Sequence, residues 1–104
     1  MSHAKIYLPM DKISTFCAKW KISEFALFGS VLREDFGPDS DVDVLIEFAE
    51  HAGWSLLEWV EMIEELKSIF GREIDLASKR GLRNPFRRQQ ILTTREIVYV
   101  YPSA

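Results

Sequence analysis

Two aspartates inside an apolar segment are the residues of this sequence with the clearest chemical potential. Asp41 and Asp43 begin the stretch DVDVLIEF, which alternates polar and apolar residues as a strand does. Residues two apart on a strand point the same way, with Cα atoms roughly 6.5 Å apart. Both carboxylates can therefore converge on one cation or on a pair of cations. A divalent cation would relieve the repulsion of two like charges on a half-buried strand. Oxygen ligands favour Mg²⁺ or Mn²⁺ over Zn²⁺.

A Gly-Ser pair, ten residues before the aspartates, offers the complementary half of a site. Gly29 and Ser30 follow the apolar segment FALF and precede a predicted short helix. A glycine there lets backbone N–H groups and the Ser30 hydroxyl approach a phosphate oxygen, and the helix N-terminus adds partial positive charge. Metal-binding carboxylates on one side and phosphate donors on the other describe a site for a metal-bound nucleotide.

A third aspartate could complete this site. Asp75 lies between Ile74 and Leu76 in a later predicted strand. If that strand lies beside the strand of Asp41 and Asp43, Asp75 could share a metal and accept the proton of an attacking hydroxyl, as phosphoryl transfer requires. Each piece alone is common in turns and at strand ends. The combination of Gly-Ser and Asp-x-Asp at this spacing is expected by chance only about once per thousand chains of this length.

Strands and helices alternate along the chain, which predicts one α/β domain over residues 1–104 with helices packed on a sheet. Ser55 with Glu58 predicts a capping box, and Asn84 with Pro85 predicts the start of the last helix. The apolar positions of the helix after Ser55 are Leu56, Trp59, Val60, Ile63, Leu66 and Phe70. The predicted strands are 25–28, 41–48, 73–77 and 97–101, and the predicted helices are 9–20, 30–34, 55–70 and 85–92.

The composition is that of a soluble globular protein, with 47% hydrophobic and 28% charged residues and a formal net charge of -3. This charge gives no broad basis for binding nucleic acid or an anionic membrane. No apolar run approaches the roughly 20 residues of a membrane span, and the first residues lack an apolar signal core. The single cysteine, Cys17, cannot form an internal disulfide and lies on the apolar face of a predicted helix. We therefore expect a cytoplasmic protein in which Cys17 is a packing residue.

Three further features lie outside the aspartate pattern. Six basic residues and no acidic one occur from Lys79 to Arg95, which is compatible with a solvated face, a contact with an acidic partner, or help in holding a triphosphate. His3 and His51 lack metal-ligand spacing and are given no role. Tyr99 and Tyr101 are predicted to belong to an edge strand, a natural docking place for a partner.

The motif and the length of the chain resemble a known family. Gly29-Ser30, followed after ten residues by Asp41-x-Asp43, resembles the signature of the nucleotidyltransferase superfamily. The C-terminal sequence REIDLASKRGLRNPFRRQQILTTREIVYVY resembles the minimal nucleotidyltransferase branch, the antitoxins of HEPN ribonuclease toxins. The resemblance implies a minimal nucleotidyltransferase fold of the α/β (α+β) class, a mixed β-sheet with helices packed on it. It also implies that Asp41 and Asp43 hold two Mg²⁺ ions and that Asp75 holds one of them.

The activity implied by this resemblance is transfer of AMP from ATP to a tyrosine of the partner HEPN toxin, which silences the toxin. Arg33 matches a basic residue often found after the Gly-Ser pair, but Leu32 and Glu34 replace the small residues usual around it. A triphosphate contact and a surface salt bridge both stay open for Arg33. Two other functions also stay open: an antitoxin that acts by binding alone, and a nucleotidyltransferase whose acceptor is a small molecule or an RNA 3′ end.

Overall fold

A computed structural model describes residues 6–49 and 53–101, and its four strands form one mixed sheet. The strand order is β3-β2-β1-β4, with β1 antiparallel to both of its neighbours and β2 parallel to β3. The predicted mixed sheet is therefore confirmed. The strands are β1 (Ile22–Phe28), β2 (Val42–Phe48), β3 (Ile74–Ser78) and β4 (Glu96–Val100).

In the part of the chain that the structure describes, three α-helices cover the two faces of this sheet. They are α1 (Met10–Trp20), α2 (Leu56–Phe70) and α3 (Pro85–Thr94), and short 3₁₀ turns follow β1 and β3. Helices α1 and α2 pack on one face, whereas α3 packs on the other. No helix among the described residues is long and apolar enough to cross a membrane.

The larger core lies between the sheet and the helices α1 and α2. The ring of Phe16 on α1 meets the edge of Phe25 on β1 with centroids 6.2 Å apart. Cys17 is fully buried beside them, and burial raises the pKa of its thiol to about 12, so it is the packing residue predicted. Trp54 closes one end of this core, because its indole N–H donates to the carbonyl of Trp20 at 2.9 Å.

The smaller core lies under α3 and determines which part of the second face stays open. Ala26, Phe28 and Leu45 from the sheet pack against Ile91 of α3. Leu45 is fully buried although it shares its strand face with acidic neighbours, because α3 covers the middle of that face. Helix α3 leaves the two ends of this face uncovered, and the charged residues of the face lie at these ends.

Some sequence predictions for α2 were wrong. The Ser55 hydroxyl donates to the Glu58 carboxylate and caps no backbone N–H, so no capping box forms. Leu56 and Val60 are 77% and 48% exposed, because the buried stripe of α2 is centred on Met62 and runs on toward its C-terminal end. Apolar side chains project from several sides of the first turns of this helix. Their spacing in the sequence therefore could not indicate which side packs on the core.

Other predictions were confirmed or need only shifted bounds. The Asn84 side chain accepts from the backbone N–H groups at 86 and 87 at 3.0 and 3.2 Å, so it caps α3 as predicted. Strand β1 begins at Ile22, earlier than predicted, because polar residues at 23 and 24 mask its start in the apolar pattern. Strand β4 is an edge strand of the sheet and contains Tyr99 as predicted, whereas Tyr101 lies just after its end. The two histidines, His3 and His51, lie outside the described residues.

Candidate active site

The Gly-Ser turn meets the aspartate strand at one end of the sheet. Phe28, the last residue of β1, is paired with Asp43 on β2, so Gly29 begins the turn directly beside the Asp43 carboxylate. Gly29 has a φ of +73°, which L side chains rarely adopt, and a Cβ at this position would lie 2.1 Å from Asp43 Oδ2. Glycine is therefore required here both by the backbone conformation and by the carboxylate.

Ser30 links this turn to both aspartates of the motif. Its backbone N–H donates a hydrogen bond to the Asp43 carboxylate, and its hydroxyl donates to the backbone carbonyl of Asp41 at 3.4 Å. The carboxylate of Asp41 lies just before β2 on an exposed residue. The turn and the aspartates thus form one local unit, in which amide groups and carboxylates lie side by side.

The parallel pairing of β2 with β3 brings in the third aspartate. Asp75 is the register partner of Asp43, so the two residues lie on adjacent strands roughly 4.8 Å apart. This confirms that the strand of Asp75 is the neighbour of the first aspartate strand. Asp75 is exposed on the edge strand β3, which leaves its carboxylate accessible to a second reactant.

The charges at this end of the sheet are unbalanced. Burial of Asp43 raises its pKa, and the negative charges of Asp75 and Asp41 raise it further. The Ser30 N–H and the positive charge of Arg87 oppose this shift but do not cancel it. A cation would relieve both the desolvation and the repulsion.

The donor chemistry of this carboxylate end, by which we mean Asp41, Asp43 and Asp75, suits Mg²⁺. No group of three His, Cys, Asp or Glu side chains within residues 6–49 and 53–101 stands ready to hold a metal ion alone. Mg²⁺ is commonly held by one or two carboxylates together with waters and substrate phosphates. The carboxylates present, combined with the phosphates of a nucleotide, therefore fit this ion.

An open cleft of about 710 Å³ lies beside Asp43, between the Gly-Ser turn and α3. Arg33 is on its rim, 64% exposed, with its Nε 3.4 Å from the carboxylate of Asp35, so it makes the surface salt bridge that was one of its two interpretations. The opposite wall comes from one side of α3, at positions 87, 90 and 94. Sequence reasoning considered position 87 only as part of the basic segment and did not consider positions 90 and 94. Their i, i+3, i+7 spacing was the available signal.

The basic segment between Lys79 and Arg95 is divided between two places in the fold. Lys79 contacts Glu24 at 3.0 Å and Glu47 at 2.9 Å, and Arg95 contacts Glu24 at 3.0 Å. Arg88 donates to the backbone carbonyl of Lys79. Two of the six basic residues of this segment therefore belong to an ion-pair network (Glu24, Glu47, Lys79 and Arg95), an arrangement that sequence reasoning did not foresee.

Comparison with known sequences gives a consistent family. The sequence model of the nucleotidyltransferase domain matches residues 10–98. A Thermococcus cleftensis relative, protein adenylyltransferase MntA, is 35% identical over 82 residues, which are 79% of this chain and 78% of the relative. A candidate protein adenylyltransferase of Methanocaldococcus jannaschii is 37% identical over 82 residues, 79% of this chain and 80% of the relative.

Comparison with solved structures gives the same fold. A candidate minimal nucleotidyltransferase superposes with a TM-score of 0.68 and 32% identity, covering 83% of this chain and 85% of that one. A toxin–antitoxin complex with AMP-PNP matches with a TM-score of 0.72 and 22% identity, covering 90% of this chain and 75% of that one. At this lower identity the second match concerns the fold alone.

Proposed function

The chain belongs to the nucleotidyltransferase domain family, and we propose that it transfers AMP from ATP to a tyrosine of a partner HEPN ribonuclease toxin. This modification would neutralise the toxin, so the chain would act as the antitoxin. The observation that carries the proposal is the placement of Asp43 between the Gly29 turn and Asp75, with an open cleft beside it. This placement supports the proposal because it puts backbone amides, carboxylate oxygens and an open cleft next to one another.

The metal requirement follows from the oxygen donors at the carboxylate end. Asp41 and Asp43 would hold two Mg²⁺ ions, for which Mn²⁺ can substitute, and Asp75 would hold one of them. The raised pKa of Asp43, which burial and the charge of Asp75 produce, supports this assignment because it marks a carboxylate that needs a cation. When bound, the metal offsets phosphate charge and polarises the phosphoryl oxygens.

The protein groups would then orient the two reactants. The backbone amide of Gly29 and the Ser30 hydroxyl would bind phosphate oxygens, while the Ser30 N–H holds the Asp43 carboxylate, and Arg33 on the rim would add a charged contact. Asp75 would accept the proton of the tyrosine hydroxyl. The tyrosine oxygen forms a bond to the α-phosphorus of ATP, the bond from that phosphorus to the bridging oxygen breaks, and pyrophosphate leaves.

The partner is proposed from the relatives. One solved neighbour is a toxin–antitoxin complex with AMP-PNP, an ATP analogue, and others are MntA–HepT toxin–antitoxin complexes. For this chain we therefore propose a toxin that binds it directly and supplies the acceptor tyrosine. We place the reaction in the cytoplasm, where ATP and the ribonuclease target are both available.

The test is a mass measurement on the partner. The full chain is incubated with the protein encoded beside it, ATP and Mg²⁺, and the intact mass of that protein is measured. We expect a gain of whole AMP units, located on a tyrosine by peptide mapping and abolished by EDTA. A competent neighbour that gains no AMP would contradict the proposal, and AMP found instead on a small molecule or an RNA would identify a different acceptor.

A non-catalytic antitoxin is the second candidate, and one surface favours it. Leu56, Leu57 and Val60 form an exposed apolar surface at the start of α2, with exposures of 77%, 68% and 48%. Such a surface suits protein docking. Replacing both Asp41 and Asp43 with Asn separates the two candidates, because the variant should lose protection of cells against the toxin only if transfer is required.

A further inference from the structure

Arg87 is a cation of the cleft that the sequence could name only as one of six basic residues, for which a triphosphate contact was one of three open roles. It lies in the first turn of α3 and lines the wall opposite the Gly29 turn. Its positive charge acts on Asp43, yet the two side chains form no ion pair. Within residues 6–49 and 53–101, its guanidinium has no hydrogen-bond or ion-pair partner, so its donors are available to a ligand.

The other two arginines of the cleft are already engaged. Arg33 pairs with Asp35 on the rim. Arg95 contacts Glu24 at 3.0 Å, donates to the backbone carbonyl of Leu92, and is only 17% exposed. Among the described residues that line this cleft, Arg87 is thus the arginine whose position and free donors both face an incoming ligand.

We infer that Arg87 binds the β- and γ-phosphates of ATP, a role that rests on the proposed function and adds a polyphosphate-binding residue to it. The guanidinium fork suits phosphate oxygens and keeps its charge at any physiological pH. Its place across the cleft from the Gly29 turn lets the polyphosphate lie between backbone amides on one side and a cation on the other. A positive charge is also needed here, because the negative charges of Asp43 and its neighbours would otherwise repel the phosphates of the nucleotide.

The N-terminus of α3 does not compete for this role. The Asn84 side chain already accepts from the backbone N–H groups of Phe86 and Arg87. The anion contact therefore comes from the side chain of Arg87 and not from unsatisfied helix amides. Removing that side chain should leave the helix itself intact, because Arg87 is exposed.

Calorimetric titration of the full chain without toxin tests this inference, since no AMP can then be transferred. ATP with Mg²⁺ and AMP with Mg²⁺ are titrated separately into the wild type, R87A, R87K and the control R83A. Arg83 is exposed and lies outside the residues that line the cleft. Hydrogen bonds to a charged group predict that R87A binds ATP about 10- to 100-fold more weakly, with AMP binding unchanged.

Each outcome has a fixed meaning. Intermediate ATP affinity in R87K and wild-type affinity in R83A would support the inference. Equal ATP affinity in R87A and the wild type, or equal losses for ATP and AMP, would overturn it. R87Q serves as the second variant if R87A melts at a lower temperature. Because no toxin is present, a failure of AMP transfer to the toxin leaves this result unaffected, and the two proposals are judged separately.

Discussion

The two ends of one sheet face carry acidic groups in opposite circumstances. At one end Glu24 and Glu47 are register partners on β1 and β2, and Lys79 contacts both of them. At the other end Asp43 and Asp75 are register partners on β2 and β3, and no basic side chain contacts either one within the described residues. The face is continuous between them, because residues two apart on β2 lead from one end to the other.

The difference shows in the direction of the pKa shifts. Burial would raise the pKa of Glu24, but hydrogen bonds from Lys79 and Arg95 outweigh it and lower the pKa. Burial raises the pKa of Asp43, and the charge of Asp75 adds to the effect. The balanced end stabilises the fold, whereas the unbalanced end is where a cation and a substrate are expected. Substitutions at the two ends should therefore affect different properties.

The largest expected effect is the loss of activity when Asp43 is replaced. Asp43→Asn should lower AMP transfer to the toxin by about 10³-fold or more, because it removes the proposed metal ligand, whose contribution would be several kcal/mol. The melting temperature should stay the same or rise, since the variant removes a repelled charge. The measurement is the rate of toxin modification together with thermal unfolding.

The control for this prediction lies on the same strand and face. Glu47→Gln removes a carboxylate that is half exposed at the other end of β2. It should leave the transfer rate within about twofold, as expected of a surface substitution away from the site. Comparable losses of rate in the two variants would mean that the ends do not differ in function.

The second prediction concerns the contact of Gly29 with Asp43. Gly29→Ala would place a Cβ 2.1 Å from Asp43 Oδ2 at a φ of +73°, so the carboxylate must move. A displacement near 1 Å can cost about 100-fold in rate, and the backbone strain costs about 1–3 kcal/mol. Kinetics and denaturant unfolding measure both losses.

A matched glycine separates strain from displacement. Gly71, at the end of α2, has a φ of +66°, but a Cβ there would meet nothing within 4 Å. Gly71→Ala should therefore cost about 1–2 kcal/mol of stability and leave the rate unchanged. A similar loss of rate in both variants would contradict the proposed role of the Gly29 contact.

The sequence predicted those features of the fold that depend on residues close together in the chain. It did not determine features that depend on residues far apart in the chain. The helix around Cys17, the Asn84 cap and the alternation of β2 are local patterns, and the structure contains all three. The parallel pairing of β2 with β3 joins strands separated by a helix, so it depends on packing that no local pattern contains. From the sequence, Asp43 and Asp75 were expected to be adjacent only if their two strands were neighbours. The register of β2 with β3 establishes that they are.

The same limit separates the two kinds of residue in the candidate site. The spacing of Gly29, Ser30 and Asp43 is short enough for a motif to contain it. Arg87 reaches the cleft only because Ile91, one turn further along α3, packs on the sheet face. The direction in which a helix crosses a sheet is a tertiary property, so the residues it contributes could not be assigned from a motif.

The third prediction concerns the end of the sheet face where the charges are balanced. There we expect a substitution to lower stability and to leave activity unchanged. Glu24→Gln removes the carboxylate that pairs with Arg95 and one of the two carboxylates that contact Lys79, and both cations are less than 20% exposed. Such charged hydrogen bonds are worth about 1.5–3 kcal/mol each in general, and partial exposure reduces this to a loss of about 1–3 kcal/mol in all. Denaturant unfolding measures the loss, and AMP transfer below the melting temperature should stay near the wild-type rate.

A second carboxylate on a helix provides the reference for that change. Glu61→Gln lies on the exposed side of α2 and should alter stability by less than about 0.5 kcal/mol. If Glu24→Gln is as mild as this reference, the ion-pair network does not stabilise the fold. If it abolishes transfer while the protein remains folded, the functional separation of the two ends is wrong.

The smallest expected effect is a difference in pH dependence between the two ends, measured without metal in EDTA. Glu24 has a lowered pKa when folded, so its stabilising charge is present above the ordinary value of 4.5 and is lost as the pH falls below that value. Glu24→Gln should thus be less stable than the wild type at neutral pH, and the gap should close in acid.

Asp43 gives the opposite sign because its folded pKa is raised. The folded wild type gains stability as the pH falls through that raised pKa toward the ordinary value of 3.8, since the folded state binds the proton more readily. Asp43→Asn should therefore be more stable than the wild type at neutral pH, with an advantage that disappears in acid. Denaturant unfolding of the three proteins between pH 3 and pH 7, about the range that includes both ordinary carboxyl pKa values, measures both gaps. Gaps of the same sign would mean that Asp43 is as well balanced by its neighbours as Glu24, and the case for a cation at Asp43 would lose its electrostatic support.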